Sequence, residues 1–488
     1  MCESSWTMMI DALRAACPQL EIVLDDVSRY RASMDNLRIS SMPEAVLKPN
    51  NGAEIQSVLK LANEHRIPIT PRGAGSATTG ASCPIEGGWV LDMSAWDDIR
   101  IDPTAMIAYA GPGAAVEAID AEARKHGLMF PPDPGSKKYC TIGGAIACNA
   151  GGMRGAKYGV TRDYVLGLEG FLPTGEAVKW GGDLRKYVSG YNIKDLWIGS
   201  EGTLGVITQT ALRLIPAPPF TRSIVVPYAD EMAALDTVRD ILDAQIVPAC
   251  LEFLDRQSIE CAHQFWSKLA HSPDAKELAK RVPRSPILLL QIDGDAHALE
   301  DQFNRLRPIL AARASGTLWP SENEDEEAAL WKIRRACSQA MFQAGDTKLN
   351  EDVVVPLAAQ KALIAYTLEL KATIGLATPT FGHAADGNFH VHIMYDRGDP
   401  DQKARAQDGI QRLMHKIIEL GGVITGEHGV GLAKSPFLKI QHNPAELAIM
   451  QAVKKTFDPN NILNPGKFFE QFEIWEHPRE EVRMPWDH

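Results

Sequence analysis

Thr141-Ile142-Gly143-Gly144-Ala145-Ile146-Ala147-Cys148-Asn149-Ala150-Gly151-Gly152 is the stretch on which the fold turns. It is apolar yet nearly free of bulk, and side chains this small let a large flat ligand lie against the backbone. Just upstream, Pro131-Pro132-Asp133-Pro134-Gly135-Ser136 is a stiff bend, because proline fixes φ. Further back, Gly52 to His65 reads as a helix, with Ile55, Val58, Leu59 and Ala62 at helical spacing. A short strand, Ile67 to Thr70, then enters Pro71-Arg72-Gly73-Ala74-Gly75-Ser76, where successive backbone N–H groups can turn inward as an anion-binding nest. Gly113 to His126 reads as a helix stopped by Gly127. Downstream, Gly199-Ser200-Glu201-Gly202-Thr203-Leu204-Gly205 enters a strand that begins at Val206. One glycine-rich loop is usually only a turn. Three of them, each beside a strand or helix, fit one extended phosphate-bearing cofactor better than three unrelated turns. No Gly-x-Gly-x-x-Gly follows a strand and opens a helix, which argues against a nicotinamide-type Rossmann site.

The whole chain bounds the reading. Its 488 residues are 45% hydrophobic and 23% charged, an ordinary globular composition with material for a core and for about three domains. A net charge of −12 argues against nucleic acid or anionic lipid as a main partner. Eight cysteines are scattered without a Cys-x-x-Cys pair, which excludes a disulfide framework and an iron–sulfur site and fits a reducing compartment. No apolar run reaches the ~18 residues of a spanning helix, and Met1 to Cys17 lacks the basic start and apolar core of a signal peptide. A cytoplasmic protein is expected, with docking at the inner membrane through a partner left open.

The chemistry concentrates in Phe381-Gly382-His383-Ala384-Ala385-Asp386-Gly387-Asn388-Phe389-His390. Asp386-Gly387 lies between two extended runs and signals a hairpin turn, since Gly accepts positive φ. Along the second run Asn388, His390 and His392 share one face, and Phe389, Val391 and Ile393 take the other, assigned to the core. The hairpin therefore brings His383 and His390 together. Farther on, Gly426-Glu427-His428-Gly429-Val430-Gly431 offers a carboxylate and a third imidazole on a glycine-rich loop. Two His plus a carboxylate suit a divalent transition ion. A His pair alone is more often a hydrogen-bonded core pair than a ligand set.

After Pro216-Ala217-Pro218-Pro219 the composition shifts, marking a boundary. Strand-like runs (Ser223 to Val226, Leu251 to Leu254, Ile287 to Ile292, Val353 to Val355) then alternate with helical ones. On one predicted helix Ile333, Cys337 and Met341 fall within about 60° of Leu330 at ~100° per residue, with Arg334 at about 40°, inside the stripe. A guanidinium on a buried face needs an anionic partner. An internal salt bridge and a substrate-carboxylate clamp both satisfy that need.

The blocks PRGAGS, PPDPGS, TIGGAIACNAGG and GSEGTLGVIT resemble the flavin domain of the vanillyl-alcohol-oxidase (PCMH-type) superfamily. With FGHAADGNFH, GEHGVG and FDPNNILNPGK they are similar to its D-2-hydroxyacid dehydrogenase branch, over about residues 35 to 470. Ala385 stands where that branch carries Gly. The resemblance implies an α+β chain: an N-terminal segment (1–37), a two-part FAD-binding domain (38–218), a cap of antiparallel sheet backed by helices (219–456), and a segment returning to the flavin domain (457–488). It implies FAD held by Pro71, Arg72, Gly73, Ala74, Gly75, Ser76, Pro132, Asp133, Gly135, Ser136, Thr141, Gly143, Gly144, Asn149, Ala150, Gly152, Glu201, Gly205, Val206, Ile207 and Asn464. The FAD is expected to be non-covalent, because Ser76 stands near the His that attaches it in some members. His383, His390 and Glu427 are the implied ligands of one divalent metal, Zn, Fe or Mn. Arg334 is the implied carboxylate clamp and His428 the base that takes the α-hydroxyl proton. A small D-2-hydroxyacid would give the 2-oxo acid, with electrons leaving to a quinone, an electron-transfer flavoprotein or an iron–sulfur subunit. Homodimer and hetero-complex both remain open. A related branch performs ether-lipid transfer without net redox change, and a non-catalytic flavin-binding subunit is a third reading. Both should lack the metal triad, and the third also the cap Arg. The residues after 470 have no assigned role.

Overall fold

The computed structural model describes residues 3–269, 272–482 and 484. The chain divides into two compact units. The first comprises Met1–Gly151, Gly159–Ala217 and Glu427–His488, the second Gly152–Tyr158 and Pro218–Gly426. The expected N-terminal segment is thus part of the first unit, and the return begins at Glu427, ahead of residue 457.

Among the described residues the first unit holds two larger sheets and a small one that pairs Leu128–Met129 with Ile215–Pro216. In a four-stranded one, β1 (Glu21–Val23) runs antiparallel to β2 (Ala45–Lys48), while β2 and β3 (Ile69–Arg72) flank β4 (Trp89–Asp92) in parallel. The crossover from β2 to β3 is helix α1 (Gly52–His65), capped by the Asn51 side chain accepting from Glu54 N. Its Ile55, Val58, Leu59 and Ala62 are fully buried against Ile69, Trp89 and Leu91. The strand expected at Ile67 to Thr70 starts two residues later. The other larger sheet is antiparallel: β5 (Ile99–Asp102), β6 (Ile107–Ala110), β7 (Val165–Phe171), β8 (Ala177–Gly181) and β9 (Val206–Arg213) in the order β5-β6-β9-β7-β8. Between β6 and β7 lies α2 (Ile142–Cys148), so the small-residue stretch is a short helix. The returning segment joins the edge of β3, with Ile69 N donating to Ile462 O (2.7 Å) and Asn464 N to Ile69 O (2.7 Å). Phe472, Ile474, Val482 and Met484 pack on Met34, Leu37, Ile39, Cys83 and Leu432, so the acidic, aromatic tail is a structural strap over the first unit.

The second unit is a seven-stranded antiparallel sheet. Its strands are β10 (Phe220–Pro227), β11 (Cys250–Leu254), β12 (Ile287–Gly294), β13 (Trp319–Pro320), β14 (Thr347–Val354), β15 (Thr380–His383) and β16 (Asn388–Tyr395), in the order β13-β10-β12-β11-β15-β16-β14. Helices α3 (Arg256–Lys268) and α4 (Glu324–Ala340) cover one face, where Leu330, Ile333 and Cys337 meet Leu254, Phe381 and Met394. Helix α5 (Pro400–Glu419) covers the other at β16, its Gly409 leaving room for Ile393. Asn388, His390 and His392 are therefore buried like Phe389, Val391 and Ile393. Period-two alternation separates faces but does not say that both are covered. Among the described residues no helix is long and apolar enough to cross a membrane.

Candidate functional site

In the first unit the small-residue loops gather around α2. Thr141 caps the helix, its Oγ1 accepting from Gly144 N (3.3 Å), and a Cβ on Gly73 would sit 2.2 Å from that same Oγ1. Only glycine lets the first loop press so closely on the cap. Burial pushes the Cys140 thiol up to about 11, opposed by hydrogen bonds from Ser136 and Ser76, which ties the proline bend to the first loop. At the other end of α2, Gly199 N donates to Ile146 O (2.9 Å) and Glu201 N to Ala147 O (2.8 Å). Asn464 Nδ2 then donates to Glu201 O and Ala81 O, each at 2.7 Å. Four sequence-distant blocks thus converge. Gly143, Gly144, Ala147 and Cys148 leave a small-residue face of α2 partly uncovered. Asn464 Oδ1, on a residue 1% exposed, has no donor among the described residues. A small-residue face beside an unsatisfied buried acceptor fits a flat, hydrogen-bonding cofactor such as FAD.

Not every implied contact residue points at that face. Arg72 sends its guanidinium inward, Nη2 donating to Met34 O (2.8 Å). Asp133 pairs with Lys137 (2.7 Å), and Asn149, in the left-handed C-cap of α2, accepts from Arg162 N (2.9 Å). Gly205 makes room for the Trp197 ring, Val206 is a core residue, and Gly152 opens the short segment of the second unit. Glu201 is the most displaced from expectation. Its backbone belongs to the glycine loop, but its carboxylate accepts from Val430 N (2.6 Å) and Gly431 N (2.9 Å). Burial pushes this carboxyl up to about 7, with those two N–H groups pulling it back. In the same loop Thr79 Oγ1 donates to His428 O (3.3 Å), and His428 Nε2 lies 3.7 Å from Glu427 Oε1.

In the second unit the chemistry is organised by Glu252, at the centre of β11 with a side chain 0% exposed. Its two oxygens hold two partners: Arg334 Nε at 2.5 Å and His383 Nδ1 at 2.6 Å. Burial alone would raise this carboxyl, but the His383 and Arg334 charges bring it down to about 2. Arg334, 13% exposed at its side chain, also lies over the Phe381 ring at 4.5 Å. The His383 and His390 rings stand 5.4 Å apart in T-shaped contact. Across from His390 on β14 is Asp352, fully buried, accepting from Asn388 Nδ2 (2.7 Å), Thr425 Oγ1 (3.0 Å) and Gly426 N (2.9 Å). His392 makes a 3.1 Å bond to Pro379 O. A His whose Nδ1–H is held by a carboxylate presents Nε2 to a metal with its orientation fixed. That donor set fits a divalent ion.

Glu252 and Asp352 escaped the sequence reading. For Glu252 the signal was there: it is a carboxylate inside the apolar run Cys250-Leu251-Glu252-Phe253-Leu254, where an ionised group needs partners, whereas Asp352 follows Asn350-Glu351 and gives no such signal. What the sequence does not carry is who the partners are.

Residues 43–181 match the family described as FAD binding domain, and residues 217–468 match FAD linked oxidases, C-terminal domain. The chain is similar to glycolate oxidase subunit GlcD of Bacillus subtilis, 38% identical over 88% of this chain and 89% of that one. It is similar to D-lactate dehydrogenase of Anaerostipes hadrus, 34% identical over 94% and 96%. Among solved structures, p-cresol methylhydroxylase with substrate bound shares the fold at a TM-score of 0.75 and 17% identity, over 96% of this chain and 98% of that one. Alkyldihydroxyacetonephosphate synthase does so at 0.71 and 18%, over 94% and 85%.

Proposed function

Since the chain belongs to the family of FAD-linked oxidases, we propose that it oxidises a small D-2-hydroxyacid, D-lactate or glycolate, to the 2-oxo acid and passes the electrons to an acceptor other than NAD. It is an FAD-dependent oxidoreductase. The observation that carries the substrate class is Glu252 gripping both Arg334 and His383 on one buried sheet face. A guanidinium braced by a dry carboxylate is stiff, and a stiff, partly exposed Arg suits a planar substrate carboxylate. FAD held by the small-residue loops would supply the hydride acceptor for the hydrogen on substrate C2. Arg334 binds the carboxylate, and His428 takes the α-hydroxyl proton as general base. Dye-linked turnover with glycolate, D-lactate and D-2-hydroxyglutarate tests the reading; inertness toward all three contradicts it.

His383 and His390, with Glu427 as the third ligand, would hold one divalent ion, Zn, Fe or Mn. Such an ion supplies Lewis acidity toward the α-hydroxyl. Glu252 sets the His383 ring, and Asp352 with Asn388 stiffens the strand pair carrying His390. Chelation is expected to abolish substrate reduction of the flavin while leaving the flavin spectrum intact. One added divalent metal restores it in the wild type but not in His390→Ala. Full activity in a preparation shown by elemental analysis to be metal-free contradicts the metal's role.

FAD is held without a covalent bond, because Ser76 stands where attached relatives carry His. After acid precipitation the yellow colour is expected in the supernatant; colour in the pellet contradicts this. Electrons leave to a quinone, an electron-transfer flavoprotein or an iron–sulfur subunit. The motive is a sequence with neither a dinucleotide fingerprint nor cysteine clusters, so substrate-dependent NADH formation by the purified chain is the contrary result.

A further inference from the structure

We propose that Glu201 is a positioning residue: by accepting from Val430 N and Gly431 N, its carboxylate sets the turn after His428 and so aims the imidazole. The inference rests on the reading of His428 as the base.

The geometry is specific. Glu201 is 4% exposed, and its two oxygens take one N–H each, Oε1 from Val430 (2.6 Å) and Oε2 from Gly431 (2.9 Å). Gly429 (φ 82°) and Gly431 (φ 51°) both lie in the left-handed region. A Cβ on Gly429 would sit 2.5 Å from Glu201 Oε1, and one on Gly431 2.3 Å from Thr79 O. Thr79 completes the grip by accepting from Leu432 N (2.7 Å) and Ala433 N (3.0 Å). The Glu201 backbone is fixed in turn, N to Ala147 O at the end of α2 and O to the Asn464 amide. One residue therefore ties the framework of the small-residue loops to the loop that carries the base. Two adjacent N–H donors need two acceptors, which a carboxylate supplies. An amide of the same shape supplies one and sets its NH2 against the other donor. Residues that aim a reacting group act by geometry, where a displacement of about 1 Å can cost about a hundredfold in rate.

The test uses the flavin-loaded protein and compares Glu201→Gln, Gly429→Ala and His428→Asn. Flavin content, KM and the anaerobic rate of flavin reduction by saturating substrate are measured for each. Glu201→Gln and Gly429→Ala are expected to lose about a hundredfold in reduction rate, with flavin content and KM near wild type. Adding Glu201→Gln to His428→Asn should cost nothing further, because one residue acts through the other. Wild-type reduction rates in both loop variants overturn the inference, as does an activity loss that merely follows flavin loss. A full additive loss in the double variant overturns it too. If Glu201→Gln does not fold, Gly429→Ala decides alone by the same criteria. If His428→Asn itself reduces flavin at the wild-type rate, the base reading falls and the inference with it. An impaired His428→Asn beside unaffected loop variants removes the inference only.

Discussion

His428→Asn is expected to slow flavin reduction by the D-2-hydroxyacid by about 10²–10⁴-fold, the usual contribution of a positioned general base. Asn keeps a polar group of similar reach but cannot take the proton at neutral pH. The His428 backbone is held by Thr79 Oγ1 at its carbonyl and by the bonds to Val430 and Gly431 beyond it, none of which uses the imidazole. The variant should therefore fold, bind FAD and show little change in KM. Anaerobic rapid mixing, following flavin bleaching at saturating substrate, checks it. A rate close to that of the wild type assigns the proton to another group.

Arg334→Ala has the second large effect, and it should appear in stability as well as activity. The substitution leaves Glu252, 0% exposed, with His383 as its remaining charged partner. Removing one member of a buried pair typically costs about 3–5 kcal/mol, because a charge is left poorly compensated in low dielectric. For a unit of this size that is a fall in melting temperature on the order of 10 °C. Adding Glu252→Gln to Arg334→Ala should recover part of the loss, since the uncompensated charge is then gone. Activity should recover in neither. Thermal unfolding of the wild type and both variants, with turnover measured well below each midpoint, separates the brace from the clamp. Full turnover by folded Arg334→Ala contradicts the clamp.

These two residues also mark how far the sequence is legible. Helix α1 falls on the residues the apolar spacing picked out, and the Asp386-Gly387 hairpin brings His383 and His390 together as its turn chemistry requires. The stripe on α4 is buried with Arg334 in it. These features are local, written in periods of 3.6 and 2 and in residues that accept positive φ. The Arg334 partner is not local. Glu252 lies on strand β11, and only the packing of helix α4 on the sheet brings it beneath the guanidinium. Glu201 shows the same limit from the other side. Its glycine-rich surroundings mark a loop near the cofactor, whereas its side chain serves a loop more than two hundred residues later. Composition locates such loops; chain topology decides which of their side chains meet.

The central claim is that a small D-2-hydroxyacid reduces the flavin of this chain. It is tested most directly by mixing the purified flavoprotein anaerobically, with no added acceptor, with D-lactate, glycolate, D-2-hydroxyglutarate and, as a control, L-lactate. D-lactate or glycolate should bleach the flavin and yield one equivalent of the 2-oxo acid, with L-lactate inert. A flavin that stays oxidised with every D-2-hydroxyacid would contradict the account.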